Sequence, residues 1–240
     1  MPWTEIDHAL LPDGEVMTLR RDGDAFEIRI GLYELMSSRD PASERAMAQL
    51  VTGQPVRAAL IGGLGLGYTL RALLDATGPE AAITVAELVP AVVAWNRGPL
   101  AGLAGRPLED PRVSVFQGDV AAAMTQNPAG FDVILLDVDN GPAAVMFEGN
   151  EGLYSAAGLE RIRCALAPGG ICCVWAADRS EDFEKALNSA DFAFERREIA
   201  VAERLCHTLY VMTGEVRHRT AKMPKREVGS GACKAAQASL

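Results

Sequence analysis

The sequence is poor in the residues that build metal centres and disulfide frameworks. Its 240 residues include five cysteines and three histidines; no two cysteines form a Cys-x-x-Cys pair, and the histidines are scattered. This pattern argues against a disulfide scaffold and against a zinc site, so we expect no metal. Free thiols in a reducing compartment fit best, and the adjacent Cys172 and Cys173 are expected on opposite faces of one strand.

Long apolar runs and an excess of positive charge are also missing. No run of about 18 apolar residues occurs, and the first fifteen residues lack a basic segment followed by an apolar one. We therefore expect no membrane span, no secretory signal and a cytoplasmic location. The formal net charge of −9 argues against nucleic acid as a partner, because phosphate binding requires clustered Lys and Arg.

What is present is the composition of an ordinary globular protein, 49% hydrophobic and 23% charged. Apolar strand segments alternate with helical segments from residue 56 onward. Strands are predicted at 56–61, 82–87, 113–117, 131–137 and 171–176, followed by two antiparallel strands at 192–201 and 205–213. A helix is predicted at 156–165, and Pro168-Gly169-Gly170 is predicted to form a turn before the strand at 171–176. This alternation predicts an α/β fold, a doubly wound Rossmann-like sheet of seven strands.

The two ends of the chain differ from this pattern. Asp22-Gly23 lies between two alternating segments, which predicts a β-hairpin, so we assign residues 1–40 to an N-terminal hairpin appendage. The Rossmann-like domain then covers residues 41–216 and begins with a helix that starts at Pro41. Residues 217–240 are basic and rich in Gly, Ser, Ala and Lys, which predicts a disordered tail.

A glycine-rich loop, Gly62-Gly63-Leu64-Gly65-Leu66-Gly67, follows the first strand of the sheet. Glycines allow left-handed backbone and close approach to a ligand, and the next helix offers free N–H groups to a carboxylate. The dinucleotide pattern Gly-x-Gly-x-x-Gly is not matched, because its last position falls on Tyr68 or Leu70. No Gly-Lys-Ser/Thr follows either. The loop predicts a different small-molecule cofactor site, with a simple tight turn as the alternative.

Acidic residues stand where the next three strands end. Because ligands bind beyond the carboxyl ends of such strands, these carboxylates are expected to meet in one cleft. Glu87 would accept from ribose hydroxyls, and Asp137 would face the reacting groups. Asp119 would accept from an adenine amino group or cap the following helix. The predicted cofactor-binding residues are Gly62, Gly63, Gly65, Gly67, Glu87, Asp119 and Asp137.

With these residues in place, the chain resembles the spermidine synthase (polyamine aminopropyltransferase) family within the class I S-adenosylmethionine-dependent methyltransferase superfamily. The resemblance runs from about Gly31 to Ala176 and is most specific in Phe131–Asp137 and Gly141-Pro142-Ala143. It implies a transferase that uses S-adenosylmethionine or its decarboxylated form on a small-molecule substrate. Association within that family and the open edges of the N-terminal hairpin favour a homodimer, which the sequence does not establish.

Residues that the family uses to recognise the transferred group and the polyamine differ here. Gly65 stands where the family carries an acid, and Ser43-Glu44-Arg45 replaces its Ser-Tyr-Gln. These departures favour methyl transfer to a small molecule, amines included, as the main hypothesis. Aminopropyl transfer from decarboxylated S-adenosylmethionine is the alternative. A non-catalytic binding module that kept the fold is a third hypothesis.

Asp137 and Asp139 are the predicted catalytic residues, since either carboxylate would take the proton of an attacking amine. Asp139 is equally explained as a loop acid that organises the turn after it. The candidate substrate contacts are Glu34, Glu44 and Tyr154, whose acidic members suit a cationic substrate. Tyr154 is also explained as an aromatic residue of the core.

Overall fold

The structure is a computed structural model that describes residues 2–11, 14–138, 140–142, 150–202 and 205–216. The tail predicted at 217–240 lies outside these residues, as does Asp139. The described chain forms a four-stranded antiparallel sheet followed by a seven-stranded mixed sheet with helices on both faces.

The N-terminal sheet has four strands in the order of the chain. They are β1 (Thr4–Leu10), β2 (Val16–Asp22), β3 (Ala25–Ile30) and β4 (Tyr33–Ser37). The predicted hairpin at Asp22-Gly23 is confirmed as β2–β3, with Gly23 at φ +60°. The prediction missed β1 and β4, because their residues are mostly exposed and show no apolar alternation.

The seven-stranded sheet confirms the predicted doubly wound fold. Its strands are β5 (Ala58–Gly62), β6 (Ala82–Glu87), β7 (Val113–Gln117), β8 (Phe131–Leu136), β9 (Leu166–Ala176), β10 (Phe192–Ala202) and β11 (Leu205–Val216). Their order is β10-β11-β9-β8-β5-β6-β7. The chain winds outward from β5 to β7 and then returns to β8 on the other side, so β5 and β8 flank the switch point where such sheets bind ligands.

In the described part of the chain, six α-helices cover the two faces of this sheet. They are α1 (Ala42–Gln49), α2 (Tyr68–Ala76), α3 (Pro90–Arg97), α4 (Val120–Gln126), α5 (Ala156–Ala165) and α6 (Glu181–Ser189). The first three and the N-terminal sheet share one apolar cluster, which contains Cys173; the last three share the other, which contains Cys172. The two thiols thus lie on opposite faces of β9, as the period of a strand requires.

Strand β9 is longer than predicted. The Pro168-Gly169-Gly170 segment was expected to form a turn before the strand, but it lies within β9. Gly169 has φ +77°, and the register with β8 shifts between Phe131 and Val133. A strand that continues through such an irregularity contains a β-bulge, which explains why the turn signal was misleading.

Two contacts fix the ends of β8. At its start, Asp132 Oδ2 accepts from the backbone N–H groups of Arg57 and Ala58, at 2.8 and 3.0 Å, and ties β8 to β5. Beyond its end, Gly141 (φ +86°) approaches β9 so closely that a Cβ there would lie 2.6 Å from Ala176 Cα. The loop after β8 is thereby held against the end of β9.

Among the described residues, no helix is long and apolar enough to span a membrane. No group of three or more His, Cys, Asp or Glu side chains in the same part of the chain is arranged to hold a metal ion.

We predict that Asp132→Ala lowers the free energy of unfolding by about 1–3 kcal/mol, because two backbone donors at the β5–β8 junction lose their acceptor. Urea denaturation measures the loss. The control is Asp24→Ala, whose side chain is fully exposed in the β2–β3 turn and should change stability by less than about 0.5 kcal/mol. Equal stability of the two variants would contradict the bridging role.

Candidate active site

A cleft opens at the carboxyl ends of the parallel strands, on the side covered by the N-terminal sheet. Its empty volume is about 600 Å³ when the solvent at its open side is included. Its walls are the glycine loop, the ends of β6, β7 and β8, the first turn of α3, and Met17, Leu35 and Met36 from the N-terminal sheet. The predicted residues Gly63, Gly65, Glu87, Asp119 and Asp137 all line this one cleft.

The glycine loop provides a wall without side chains. Gly63, Gly65 and Gly67 have φ values of +83°, +52° and +83°, which residues with a Cβ rarely adopt. A Cβ on Gly63 would overlap the carbonyl oxygen of Asp137, and one on Gly67 would lie 3.0 Å from Asn96 Oδ1. The loop therefore needs glycine for its conformation and for its close approach to β8.

Glu87 braces this loop from the end of β6. Its side chain is buried, Oε2 accepts from Leu64 N at 2.8 Å, and Oε1 accepts from Val89 N at 2.8 Å. Burial raises the pKa of Glu87, and the backbone donors of Leu64 and Val89 partly oppose that shift. The carboxylate thus shapes the backbone on both sides of the cleft, in addition to the ribose contact predicted for it.

Asp119 caps a helix and also lines the cleft. Its Oδ1 accepts from Ala121 N at 2.7 Å, which caps the N-terminus of α4. The same residue lines the cleft beside Gly118. A contact with an adenine amino group stays a prediction. It is compatible with the cap, because a carboxylate has several acceptor positions.

Asp137 lies at the end of β8, against the glycine loop. Its Oδ2 accepts from Thr69 Oγ1 at 2.7 Å, and its backbone N–H donates to Gly62 O at 2.9 Å. Burial, and then the negative charge of Glu44, raise the pKa of Asp137 to about 7, while the bond from Thr69 opposes the shift. A carboxyl group with this pKa can exchange a proton near neutral pH.

The structure places the three candidate substrate contacts differently. Glu44 on α1 is close enough to Asp137 for its charge to act there, and burial raises its own pKa. Tyr154 is buried, donates to Val138 O at 3.4 Å and packs edge-on against Phe183, so it supports the wall from behind.

Glu34 is not brought to the cleft. Its carboxyl group faces Glu27 on β3, and burial followed by the charge of Glu27 raises its pKa. The neighbouring Leu35 and Met36 are the residues of β4 that line the cleft. Asp139 lies outside the described residues.

Two of the residues that sequence reasoning missed act directly on the predicted ones. Thr69 bonds Asp137 from the first turn of α2, and its only signal was its place directly after the glycine loop. Met36 lies over Gly65, with its Sδ 3.1 Å from where a Cβ would stand. No sequence pattern indicated that Met36 lies at the cleft, because β4 shows no apolar alternation.

We predict that Glu87→Gln lowers the affinity for methylthioadenosine about tenfold or more. An amide NH₂ must then face one of the backbone N–H groups that the carboxylate accepts from, which disturbs the glycine loop. Calorimetric titration measures the affinity, and Glu80→Gln, an exposed residue before β6, is the control. Unchanged binding by Glu87→Gln would show that Glu87 does not organise the cleft.

Comparison with known proteins places the chain among its relatives. The spermine/spermidine synthase domain family model matches residues 45–212. A spermidine synthase of Dictyostelium discoideum is 30% identical over 168 residues, covering 69% of this chain and 51% of the relative. Polyamine aminopropyltransferase 2 of Pseudomonas aeruginosa is 27% identical over 190 residues, covering 75% of this chain and 46% of the relative. The chain thus spans about half the length of the curated relatives it matches.

Solved structures share the fold at low identity. Spermidine synthase from Thermotoga maritima superposes with a TM-score of 0.68 at 16% identity, over 89% of this chain and 74% of that chain. A probable spermidine synthase from Corynebacterium glutamicum gives a TM-score of 0.61 at 17% identity, over 90% of this chain and 81% of that chain. Because the family model covers well over half of the 240 residues, the chain belongs to the spermine/spermidine synthase family.

Proposed function

We propose that the chain transfers an aminopropyl group from decarboxylated S-adenosylmethionine to a small-molecule amine. The observation that carries this proposal is Asp137, a carboxyl group with a pKa of about 7 in a cleft walled by the glycine loop. The curated relatives, named spermidine synthase and polyamine aminopropyltransferase, support aminopropyl transfer better than the methyl transfer that the sequence departures favoured.

The cleft suits a nucleoside sulfonium donor. The side-chain-free wall at Gly63 and Gly65 admits a ligand against the backbone, and Glu87 and Asp119 offer acceptors at two separate points. Leu88 and Val92 add an apolar surface of the kind on which a flat base packs. When bound, the donor supplies a carbon already activated for attack, and its C–S bond breaks as the new C–N bond forms.

The chain's own residues act on the acceptor. An amine is cationic in water and must lose a proton before its nitrogen can attack, so a base has to stand beside it. Asp137 can take this proton near neutral pH, and Thr69 holds the carboxyl group in place. The second carboxylate, Glu44, adds negative charge that favours a cationic acceptor over a neutral or anionic one.

Methyl transfer from S-adenosylmethionine is a second candidate, favoured by the contact between Gly65 and Met36. The acid that the family carries at Gly65 is missing, and Met36 makes this side of the cleft apolar. The N-terminus of α2, directly after the loop, would also accept a carboxylate.

A single assay separates these candidates. Purified protein is incubated with either donor and a panel of small amines. Methylthioadenosine released from the decarboxylated donor supports aminopropyl transfer, and S-adenosylhomocysteine released from the other donor supports methyl transfer. Absence of binding of both nucleoside products by calorimetry would leave the non-catalytic module.

We predict that Asp137→Asn lowers kcat about 10²–10⁴-fold, because the acceptor's proton then has no base. Affinity for methylthioadenosine should stay within about threefold, since the amide keeps the shape of the carboxyl group. Initial rates and calorimetry measure the two quantities, and the exposed Asp24→Asn is the control. A variant that kept wild-type kcat would exclude Asp137 as the base.

The same substitution should change how stability depends on pH. Because the pKa of Asp137 rises from 3.8 to about 7 on folding, the folded protein holds this proton more tightly than the unfolded chain between those values. The contribution to the free energy of unfolding therefore falls as pH rises through this range and stays low above it.

Asp137→Asn removes this loss. At pH 8 we expect the variant to be more stable than the wild type by roughly 2 kcal/mol, a part of the full linkage value because the carboxyl group is partly open to the cleft. Urea denaturation at pH 4 and pH 8 measures the difference, which should be small at pH 4. An equal difference in the free energy of unfolding between variant and wild type at pH 4 and pH 8 would contradict the raised pKa.

A further inference from the structure

A part-buried chain of hydrogen bonds connects Ser43 and Glu44 of α1 with His207 of β11. Ser43 Oγ lies 2.9 Å from His207 Nδ1 and donates to Glu44 Oε2 at 2.7 Å. Ser43 is fully buried. His207 lies on β11, and its ring packs edge-on against Trp175 of β9, with ring centroids 4.7 Å apart.

The hydrogen-bond inventory fixes the direction of this chain. A serine hydroxyl has one proton, and that of Ser43 is donated to Glu44. With Glu44 as a carboxylate, Ser43 accepts from His207, which requires a proton on Nδ1. Burial lowers the pKa of His207 and so favours the neutral ring, and the bond to Ser43 then places its one proton on Nδ1. His207 thus donates to Ser43, and Ser43 donates to Glu44.

The position of the chain links it to the cleft. Thr208 pairs with Ala176 at the end of β9, so His207 lies beside the carboxyl end of that strand, and β9 in turn pairs with β8, which ends at Asp137. Asp40 and Asp178 are the charged groups that act on His207, and Asp40, Arg45 and Asp137 act on Glu44.

Among the residues that the structure describes, few charged groups act on Asp137. Glu44 from α1 acts on it directly, and the nearby Cys173 thiol of β9 is kept neutral by a raised pKa that burial causes. Glu44 is therefore the charged group through which a change in the hydrogen bonds of Ser43 and His207 would affect Asp137.

We propose that His207 is a positioning residue of the transferase: acting through Ser43, it holds Glu44 as a carboxylate beside Asp137, on the side from which a cationic acceptor approaches. Burial alone favours the neutral form of Glu44, and the Ser43 hydroxyl opposes that preference. A carboxylate at Glu44 in turn keeps the pKa of Asp137 near neutral pH, where Asp137 can accept a proton. The catalytic consequence rests on the proposed function; the coupling between the side chains does not.

The test compares His207→Asn, His207→Gln and His207→Ala. The amide nitrogen of Asn can stand near Nδ1 and keep the bond to Ser43, whereas that of Gln reaches toward Nε2. We expect Ala and Gln to lower kcat/KM for the amine about tenfold, mainly through KM, and Asn to restore most of it. The KM for the nucleoside donor should not change, and the exposed His8→Ala is the control.

A second measurement is independent of activity. Carbon-13 carboxyl NMR follows the titration of Asp137 in the wild type and in His207→Ala, His207→Asn and Ser43→Ala. We expect the Asp137 titration to move to lower pH in the two Ala variants, because Glu44 is then no longer held as a charged neighbour, and to stay in place in the Asn variant.

The outcomes distinguish the two proposals. The expected NMR shifts without transfer to any amine would support the positioning role and overturn the proposed function. An Asp137 titration that is the same in all four proteins would overturn the positioning role. So would a kcat/KM for the amine that is as low in His207→Asn as in His207→Ala, provided that both variants fold and bind the donor. Unfolded Ala variants would leave the comparison of Asn with Gln as the deciding one, judged by the same two readouts.

Discussion

The site depends on how closely the ends of β5 and β8 approach each other. Asp137 N donates to Gly62 O, and Gly63 lies so near the Asp137 carbonyl that any side chain there would overlap it. This contact puts the glycine loop, the start of α2 and the carboxyl group of Asp137 in one place. Thr69 reaches Asp137 only because α2 begins directly after that loop. The cleft is thus a consequence of backbone packing at the switch point of the sheet, and its acids are positioned by strands that would form without any ligand.

The N-terminal sheet gives the cleft its second wall and accounts for the main difference from the family pattern. Met36 covers Gly65, where relatives of the resembled family carry an acid. An acid at position 65 would need both a left-handed backbone and the space that Met36 fills, so the two residues form a matched pair. On the opposite side, Glu44 supplies a carboxylate where the family has a tyrosine. Compared with the pattern of the resembled family, a carboxylate is missing at position 65 and present at position 44, while the aspartate at the end of β8 is retained.

The sequence predicted the parts of this protein that follow from periodicity and from the ends of strands. Strands β6 and β7 and helix α5 have the predicted bounds, and Glu87, Asp119 and Asp137 meet in one cleft because parallel strands end on the same edge. It did not predict β1 and β4, since exposed strands need no apolar alternation, and it read the bulge at Gly169 as a turn. The sequence also did not predict the direction of the side chains on β4. Glu34 and Met36 are two residues apart and would share a face of a regular strand, but the register with β3 shifts between them, and of the two only Met36 lines the cleft.

The bond between Ser43 and His207 joins residues that are 164 positions apart in the chain. Contacts of such high sequence separation form late, because the loop between them must be closed before they yield any stabilisation. Strand β11 also enters the sheet only by pairing with β9, which is itself built on β8 and β5. The surroundings of Glu44 are therefore complete only when nearly the whole sheet has assembled. Partly folded chains would carry a glycine loop and a strand-end aspartate, but not the bond between Ser43 and His207 beside Glu44.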